Sequence, residues 1–193
     1  MEKGKIIFLN GVSSSGKTTL AKILQERLLE PFFCFNMDTF DNMMRIPEKF
    51  YADDYFYNTS QLKILSVFHQ TIKMFSDMGL NTIVDRVFVQ GSNSLVECVE
   101  LFHDYSVLFV HVICPLEELR RREKERGDRY IGQSEEQLSD LIPQDTYDIT
   151  VDTYNNTTEN CADKIIELLG YPEKFTAFKT LWSQYSGKII RRI

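Results

Sequence analysis

The chain has 193 residues, which is enough for one α/β domain, and 43% of them are hydrophobic, which excludes a disordered or fibrous protein. Its 28 acidic and 22 basic residues give a net charge of -6, which argues against a nucleic-acid partner and favours a small molecule. Its apolar runs fall short of the ~20 residues that span a bilayer, and its N-terminus lacks a signal-peptide pattern. We therefore expect no membrane partner and a cytoplasmic protein.

Strand-like and helix-like segments alternate along the chain, which is typical of a parallel sheet covered by helices. Five short segments are rich in apolar, β-branched or aromatic residues, and each gap between them leaves room for a crossover helix. The predicted strands cover residues 5–10, 32–36, 82–84, 107–113 and 149–151. This order predicts an α/β fold with a five-stranded parallel sheet flanked by helices.

Helical periodicity is clearest in the segments between and after these strands. Apolar residues three or four positions apart predict a helix over residues 61–78. Asn156 and Glu159 predict the N-cap and reciprocal partner of a later helix, and residues 172–185 predict the last one. Residues 41–58 show no regular period and are dense in acidic and aromatic residues, so we expect a functional loop there.

A glycine-containing turn follows the first predicted strand and precedes an amphipathic run. Residues 11–18 read Gly-Val-Ser-Ser-Ser-Gly-Lys-Thr, which fits the P-loop pattern G-x-x-x-x-G-K-[ST]. In such a loop the backbone N–H groups point at phosphate oxygens beside a helix N-terminus. We expect Lys17 to span the β- and γ-phosphates of ATP and the Thr18 hydroxyl to bind Mg²⁺. The residues predicted to bind ATP are Gly11, Ser13, Ser14, Ser15, Gly16, Lys17, Thr18 and Thr19, with Arg122 from a later segment.

Two other predicted strands end in a carboxylate, and the carboxyl ends of parallel strands are where ligands bind. Asp85 is the candidate for the second Mg²⁺ contact, although it could simply end its strand. Asp38 is the candidate catalytic base that accepts the proton of an attacking hydroxyl. The alternative for Asp38 is a helix cap formed together with Thr39. Arg86 could pair with Asp85 or reach a phosphate.

An arginine-rich segment contains a glycine turn and predicts a mobile lid over about residues 120–135. Arginines that close over the γ-phosphoryl oxygens would stabilise the charge of the transition state. We expect Arg126 and Arg129 to act in catalysis together with Lys17 and Asp38, and Arg122 to contact the nucleotide. The alternative is an exposed helix crossed by ion pairs between glutamates and arginines.

Five separated segments, in order along most of the chain, resemble the chloramphenicol phosphotransferase-like proteins, which are small ATP-dependent kinases of the P-loop class. They are residues 7–17, 35–38, 83–88, 126–132 and 147–153. The resemblance implies ATP-dependent O-phosphorylation of a small hydroxyl compound, with Asp38 as general base and the turn from Arg126 to Arg129 in the lid. The sequence departs from the family over residues 41–58 and at Arg86, where the family has a second acidic residue.

Three functions are consistent with these patterns. For all of them we expect residues 1–193 to form one P-loop kinase-like domain. The first is a kinase that phosphorylates a hydroxyl of a small molecule. The second is a nucleotide, nucleoside or sugar kinase, for which Arg45 would contact a phosphorylated acceptor. The third is a nucleotide-binding regulatory module, although the Asn-Lys-x-Asp element of GTPases is absent from the sequence. The sequence does not identify the acceptor, and it leaves open whether the protein forms a homo-oligomer.

Overall fold

One parallel sheet organises the computed structural model, which describes residues 2–50, 54–127 and 130–189. Its strands are β1 Ile6–Asn10, β2 Phe32–Asn36, β3 Asn81–Arg86, β4 Val107–Ile113 and β5 Ile149–Asp152. The strand order is β2-β3-β1-β4-β5, and every neighbouring pair is parallel. The five predicted strands are confirmed, and β3 extends further than predicted, so that Asp85 and Arg86 belong to the strand.

Helices cover both faces of the sheet. They are α1 Lys17–Arg27, α2 Met37–Met43, α3 Asp54–Asp77, α4 Asn93–Phe102, α5 Leu116–Arg126, α6 Gln133–Ser139, α7 Thr158–Leu169 and α8 Ala177–Ile189. Helices α1 and α7 pack together on one face, and α3, α4 and α8 pack on the other. Short 3₁₀ helices cover Glu48–Phe50, Gln144–Thr146 and Pro172–Lys174.

Strand β1 lies at the centre of the sheet, and all of its residues are buried. Its side chains alternate between two hydrophobic clusters, with Ile7 and Leu9 on the α1 and α7 side and Ile6 and Phe8 on the other. Each fully buried side chain of this size contributes about 1.5–3 kcal/mol relative to an exposed one. The turn that follows β1 therefore starts from a rigid strand.

Residues 41–58, expected to be irregular, contain the end of α2, a 3₁₀ helix and the start of α3. Helix α3 begins at Asp54, whereas the sequence predicts its start at residue 61. Tyr55 and Asn58 in its first turns are exposed, so neither belongs to the apolar stripe from which the helix over residues 61–78 is predicted.

The N-cap of α7 is Thr157, one residue later than predicted from Asn156. The Thr157 side chain accepts a hydrogen bond from the Asn160 N–H at 3.2 Å. The Asn156 side chain instead donates to the backbone oxygen of Asp152 at 3.1 Å. Asn156 therefore closes the turn after β5 and does not cap the helix.

The predicted helix over residues 172–185 is divided into the 3₁₀ helix Pro172–Lys174 and α8. The Asp148 carboxylate accepts hydrogen bonds from Thr176 N–H at 2.7 Å and Ala177 N–H at 2.9 Å. These bonds satisfy backbone donors that the first turn of a helix leaves without intrahelical partners. A side chain from a distant turn thus fixes where α8 begins.

Candidate active site

A cleft of about 660 Å³ lies at the carboxyl ends of the strands. It contains both the predicted phosphate-binding turn and the two predicted strand-end carboxylates. Ten of the predicted site residues line it: Ser13, Ser14, Gly16, Lys17, Thr18, Thr19, Asp38, Asp85, Arg122 and Arg126. Gly11 and Ser15 are buried and do not line the cleft, and Arg129 is outside the described residues.

The two glycines of the P-loop, residues 11–18, have different structural roles. A Cβ atom on Gly11 would lie 2.3 Å from the Val112 backbone oxygen, so only glycine lets the turn leave β1 against β4. Gly16 has φ 95° and precedes the first residue of α1, a conformation that glycine adopts without strain. The loop therefore leads directly into the N-terminus of α1, and a helix N-terminus of this kind is a ready site for phosphate.

Asp85 connects the two P-loop side chains that follow Gly16. Thr18 Oγ1 donates a hydrogen bond to Asp85 Oδ2 at 2.6 Å, and Lys17 Nζ lies 3.7 Å from Asp85 Oδ1. Lys17 Nζ also donates to the Val12 backbone oxygen at 2.9 Å. The contacts of Asp85 with the P-loop follow from the sheet, because Asp85 of β3 is in register with Leu9 of β1.

The Thr18 hydroxyl and the Asp85 carboxylate are hard oxygen donors, the type that Mg²⁺ prefers. Mg²⁺ usually takes few protein ligands and completes its shell with phosphate oxygens and water. In the described part of the chain, no group of three or more His, Cys, Asp or Glu side chains could hold a metal. The two oxygen donors therefore fit a Mg²⁺ ion that is shared with bound phosphates.

Asp38 lies in the first turn of α2 and lines the cleft. The alternative that Asp38 caps this helix is wrong, because Asn36 is the N-cap. Its side-chain oxygen accepts from the Thr39 N–H and from Thr39 Oγ1, each at 2.8 Å. The Asp38 carboxylate is thus not needed to cap α2.

Asp41, the first residue of the segment expected to be functional, and Arg86 also line the cleft. Burial raises the pKa of Asp41, the nearby Asp38 charge adds to this, and Arg86 opposes it. Burial lowers the pKa of Arg86, with Asp41 among the groups that oppose the change. Arg86 Nη2 donates to Ser94 Oγ at 3.0 Å, so Arg86 is held by α4 rather than by Asp85.

Arg122 of α5 is fixed against the P-loop. Its Nη1 donates to Thr153 Oγ1 at 3.2 Å and lies 3.4 Å from the Ser14 backbone oxygen, and its Nη2 donates to the Thr153 oxygen at 3.1 Å. Thr153 Oγ1 in turn donates to the Ser15 oxygen at 2.7 Å. Arg122 therefore joins α5, the end of β5 and the P-loop.

Helix α6 is attached to α5 through a buried carboxylate. Glu123 accepts hydrogen bonds from Gly132 N–H at 3.0 Å and Ser134 N–H at 2.7 Å. Burial alone would raise the pKa of Glu123, but these bonds prevail and lower it. At the protein surface, Arg120 and Glu135 form an ion pair at 2.6 Å between the same helices.

Gln133 and Gln137 of α6 also line the cleft, although neither is among the residues predicted from the sequence. Gln137 Oε1 accepts a hydrogen bond from the Ser13 N–H of the P-loop at 2.7 Å. The two glutamines are four residues apart, so they share one face of the short helix. This spacing, directly after the glycine turn, was the available signal.

A sequence model of the family described as "Chloramphenicol phosphotransferase-like protein" matches residues 4–170. The chain belongs to this family. A relative from Mycobacterium tuberculosis, whose name describes an O-phosphotransferase, is 28% identical over 187 residues, covering 86% of this chain and 83% of the relative. The adenylyl-sulfate kinase of Clostridium acetobutylicum is 28% identical over 178 residues, covering 87% and 84%.

The fold is also similar to that of known kinases. The Mycobacterium tuberculosis APS kinase, solved with AMPPNP and APS, superimposes with a TM-score of 0.63 at 15% identity, covering 88% of this chain and 99% of that one. The expected P-loop kinase fold is confirmed, and so is the expected resemblance to the chloramphenicol phosphotransferase-like family. This member of the family is a small-molecule kinase that binds a nucleotide. Within its described residues, no helix is long and apolar enough to cross a membrane.

Proposed function

We propose that the protein transfers the γ-phosphoryl group of ATP to a hydroxyl of a small, largely uncharged molecule, with Mg²⁺ bound at Thr18 and Asp85. One observation carries this proposal. Lys17 and Thr18 of the P-loop line the same cleft as the carboxylates of Asp38 and Asp85. One bound nucleotide would therefore meet groups that bind its phosphates, a site for a metal ion and a carboxylate that can accept a proton.

The phosphates of ATP would lie on the P-loop at the N-terminus of α1. Backbone N–H groups and the Lys17 ammonium would bind the phosphate oxygens, and Arg126 would approach from the lid side of the cleft. From the sequence, Arg129 would join it. A Mg²⁺ ion at Thr18 and Asp85 would supply positive charge to the β- and γ-phosphates.

Asp38 would act as the general base. The acceptor oxygen forms a bond to the γ-phosphorus while the bond from that phosphorus to the departing oxygen of ADP breaks. The proton of the acceptor hydroxyl passes to the Asp38 carboxylate, and ADP leaves with the electron pair of the broken bond. Such positioned proton transfer contributes about 10²- to 10⁴-fold to the rate.

The charges beyond Asp38 favour an acceptor that carries little net charge. Asp41 and Arg86 lie in the same wall and carry opposite charges that offset each other, so this pair offers no excess of positive charge to a phosphorylated acceptor. Arg45, on which the alternative of a nucleotide acceptor depends, is exposed and does not line the cleft. Met37 and Val87 add apolar surface to the wall.

The test is the Asp38→Asn variant. Hydroxylated antibiotics, nucleosides and sugars are screened for ADP release with ATP and Mg²⁺, and the best acceptor is used for both proteins. We expect Asp38→Asn to lower kcat by about 100-fold or more, because asparagine cannot take the proton. Its Kd for AMPPNP, measured by calorimetry, should stay within about 2-fold of the wild type, since Asp38 does not bind the P-loop phosphates.

Asp145→Asn is the matched control, because Asp145 is an exposed carboxylate outside the cleft. It should keep the wild-type rate. Unchanged turnover by Asp38→Asn would remove Asp38 from the reaction. Wild-type protein that binds AMPPNP but phosphorylates none of the acceptors would favour the regulatory module instead.

A further inference from the structure

Gln137 is held against the P-loop by a direct hydrogen bond and by the attachment of its helix to α5. Its Oε1 accepts the Ser13 N–H at 2.7 Å. Helix α6, which carries it, is attached to α5 by the two hydrogen bonds of Glu123, and Arg122 of α5 contacts the P-loop and Thr153. Gln137 therefore occupies a defined place beside the loop.

The side-chain amide of glutamine has an acceptor and a donor on one carbon atom. When Oε1 is fixed on the Ser13 N–H, Nε2 must lie close to the same part of the loop. Gln137 also lines the cleft, together with Lys17 and Thr18. The Nε2 donor of Gln137 is therefore within reach of the space where the terminal phosphates of ATP would lie under the proposed function.

We propose that Gln137 is a further substrate-binding residue, whose Nε2 donates a hydrogen bond to the γ-phosphoryl group while Oε1 keeps its bond to Ser13. This inference rests on the proposed function. It assigns to α6 a role that depends on the third phosphate of the nucleotide. Negative charge accumulates on the γ-phosphoryl oxygens during transfer, so a fixed donor there stabilises the transition state as well as bound ATP.

The decisive variant is Gln137→Glu. Glutamate keeps an oxygen that can accept the Ser13 N–H, but it replaces the Nε2 donor with a second, negatively charged oxygen. This oxygen would repel the γ-phosphate of ATP and leave ADP, which lacks that phosphate, little affected. Gln137→Ala removes both functions without adding charge, and Gln144→Glu adds the same charge at an exposed site outside the cleft.

Calorimetry with Mg²⁺ gives Kd values for AMPPNP and ADP for each protein. We expect Gln137→Glu to raise the Kd of AMPPNP by about 10-fold or more and that of ADP by less than about 3-fold. Gln137→Ala should raise the Kd of AMPPNP by about 3-fold or more, with ADP again little changed. Gln144→Glu should match the wild type for both nucleotides.

Two results would overturn the inference without affecting the proposed function. Equal weakening of AMPPNP and ADP would mean that Gln137 only supports the P-loop. Tighter AMPPNP binding by Gln137→Ala would mean that Gln137 competes with the nucleotide for Ser13. If the wild type binds neither nucleotide, the proposed function and this inference both fail. A thermal unfolding curve identifies a misfolded variant, and if Gln137→Glu does not fold, the AMPPNP-to-ADP ratio of Gln137→Ala decides.

Discussion

At the scale of single residues, Asp85 is the carboxylate on which the predicted metal site depends. It accepts a hydrogen bond from Thr18 and lies within ion-pair distance of Lys17, whose side chain is 8% exposed. The parallel register of β1 and β3 brings these groups together. Asp85 can therefore hold a cation without a rearrangement of the sheet.

Asp85→Asn should separate the contribution of Mg²⁺ from that of the phosphates. The wild type should bind AMPPNP much more tightly with Mg²⁺ than with EDTA. The ratio of the Kd in EDTA to the Kd with Mg²⁺ should be about 10-fold or more smaller in the variant, because a neutral amide is a poor Mg²⁺ ligand. Calorimetry in the two buffers measures the ratio. Asp145→Asn is again the control, and an unchanged ratio in Asp85→Asn would remove Asp85 from the metal site.

The sequence could predict Asp38 and Asp85 as candidates because both follow apolar strands whose ends must meet at one edge of a parallel sheet. It could not predict the Gln137 contact. Ser13 and Gln137 are 124 positions apart, and their meeting depends on how α5 and α6 are attached to the sheet. The four-residue spacing of Gln133 and Gln137 places both on one helix face, but it does not identify Ser13 as a partner.

At the scale of elements, the start of α6 depends on Glu123. Its side chain is fully buried and satisfies the backbone N–H groups of Gly132 and Ser134. Since Ser134 is also buried, water does not readily replace a lost bond there. The connection of α6 to α5 is thus a buried polar contact as well as a surface ion pair.

Glu123→Gln should lower the free energy of unfolding by about 1–3 kcal/mol at pH 7, because the two N–H groups bond different carboxylate oxygens and glutamine replaces one of these oxygens with a donor. Urea unfolding measures this difference, with Glu117→Gln on the exposed side of α5 as control.

The pKa of Glu123 is lowered from 4.5, so its stabilising contribution is present above pH 4.5 and is lost as the pH falls through the lower folded-state value. The difference between the wild type and Glu123→Gln should therefore shrink in acid. A difference that stays constant down to pH 3 would contradict this account.

The sequence predicted the elements better than their ends. Alternation and helical period located the strands and the middle of α3, because both patterns come from burial against the sheet. The start of α8 depends on Asp148, which lies 28 positions before Thr176. Burial raises the pKa of Asp148, although the carboxylate accepts hydrogen bonds from three backbone N–H groups. A cap supplied from so far away leaves no local mark in the sequence.

At the scale of the whole molecule, two buried histidines link stability to pH. Burial lowers the pKa of His111 to about 4, and the ring is stacked on Tyr147 with centroids 4.3 Å apart. Burial also lowers the pKa of His69, which the hydrogen bond to Glu97 opposes. Between the ordinary histidine pKa of 6.5 and about 4, the unfolded chain binds a proton that folded His111 does not, so acid favours unfolding.

His111→Phe should remove this dependence and keep the stacking on Tyr147. The difference in unfolding free energy between the variant and the wild type should be about 2 kcal/mol larger at pH 5 than at pH 8, in favour of the variant. Urea unfolding across this range measures the gain. Parallel stability profiles for the two proteins would show that His111 is not responsible.

The central position of β1 has a consequence for how the protein is made. A chain synthesised from its N-terminus produces β1 before either of the strands that flank it, β3 and β4. The phosphate-binding turn therefore cannot take its final shape until Ile113 has emerged from the ribosome, about 95 residues after the loop ends at Thr18. Until β3 has emerged as far as Arg86, the apolar β1 segment has no neighbouring strand to pair with, and a chaperone that shields it would protect the nascent enzyme from aggregation.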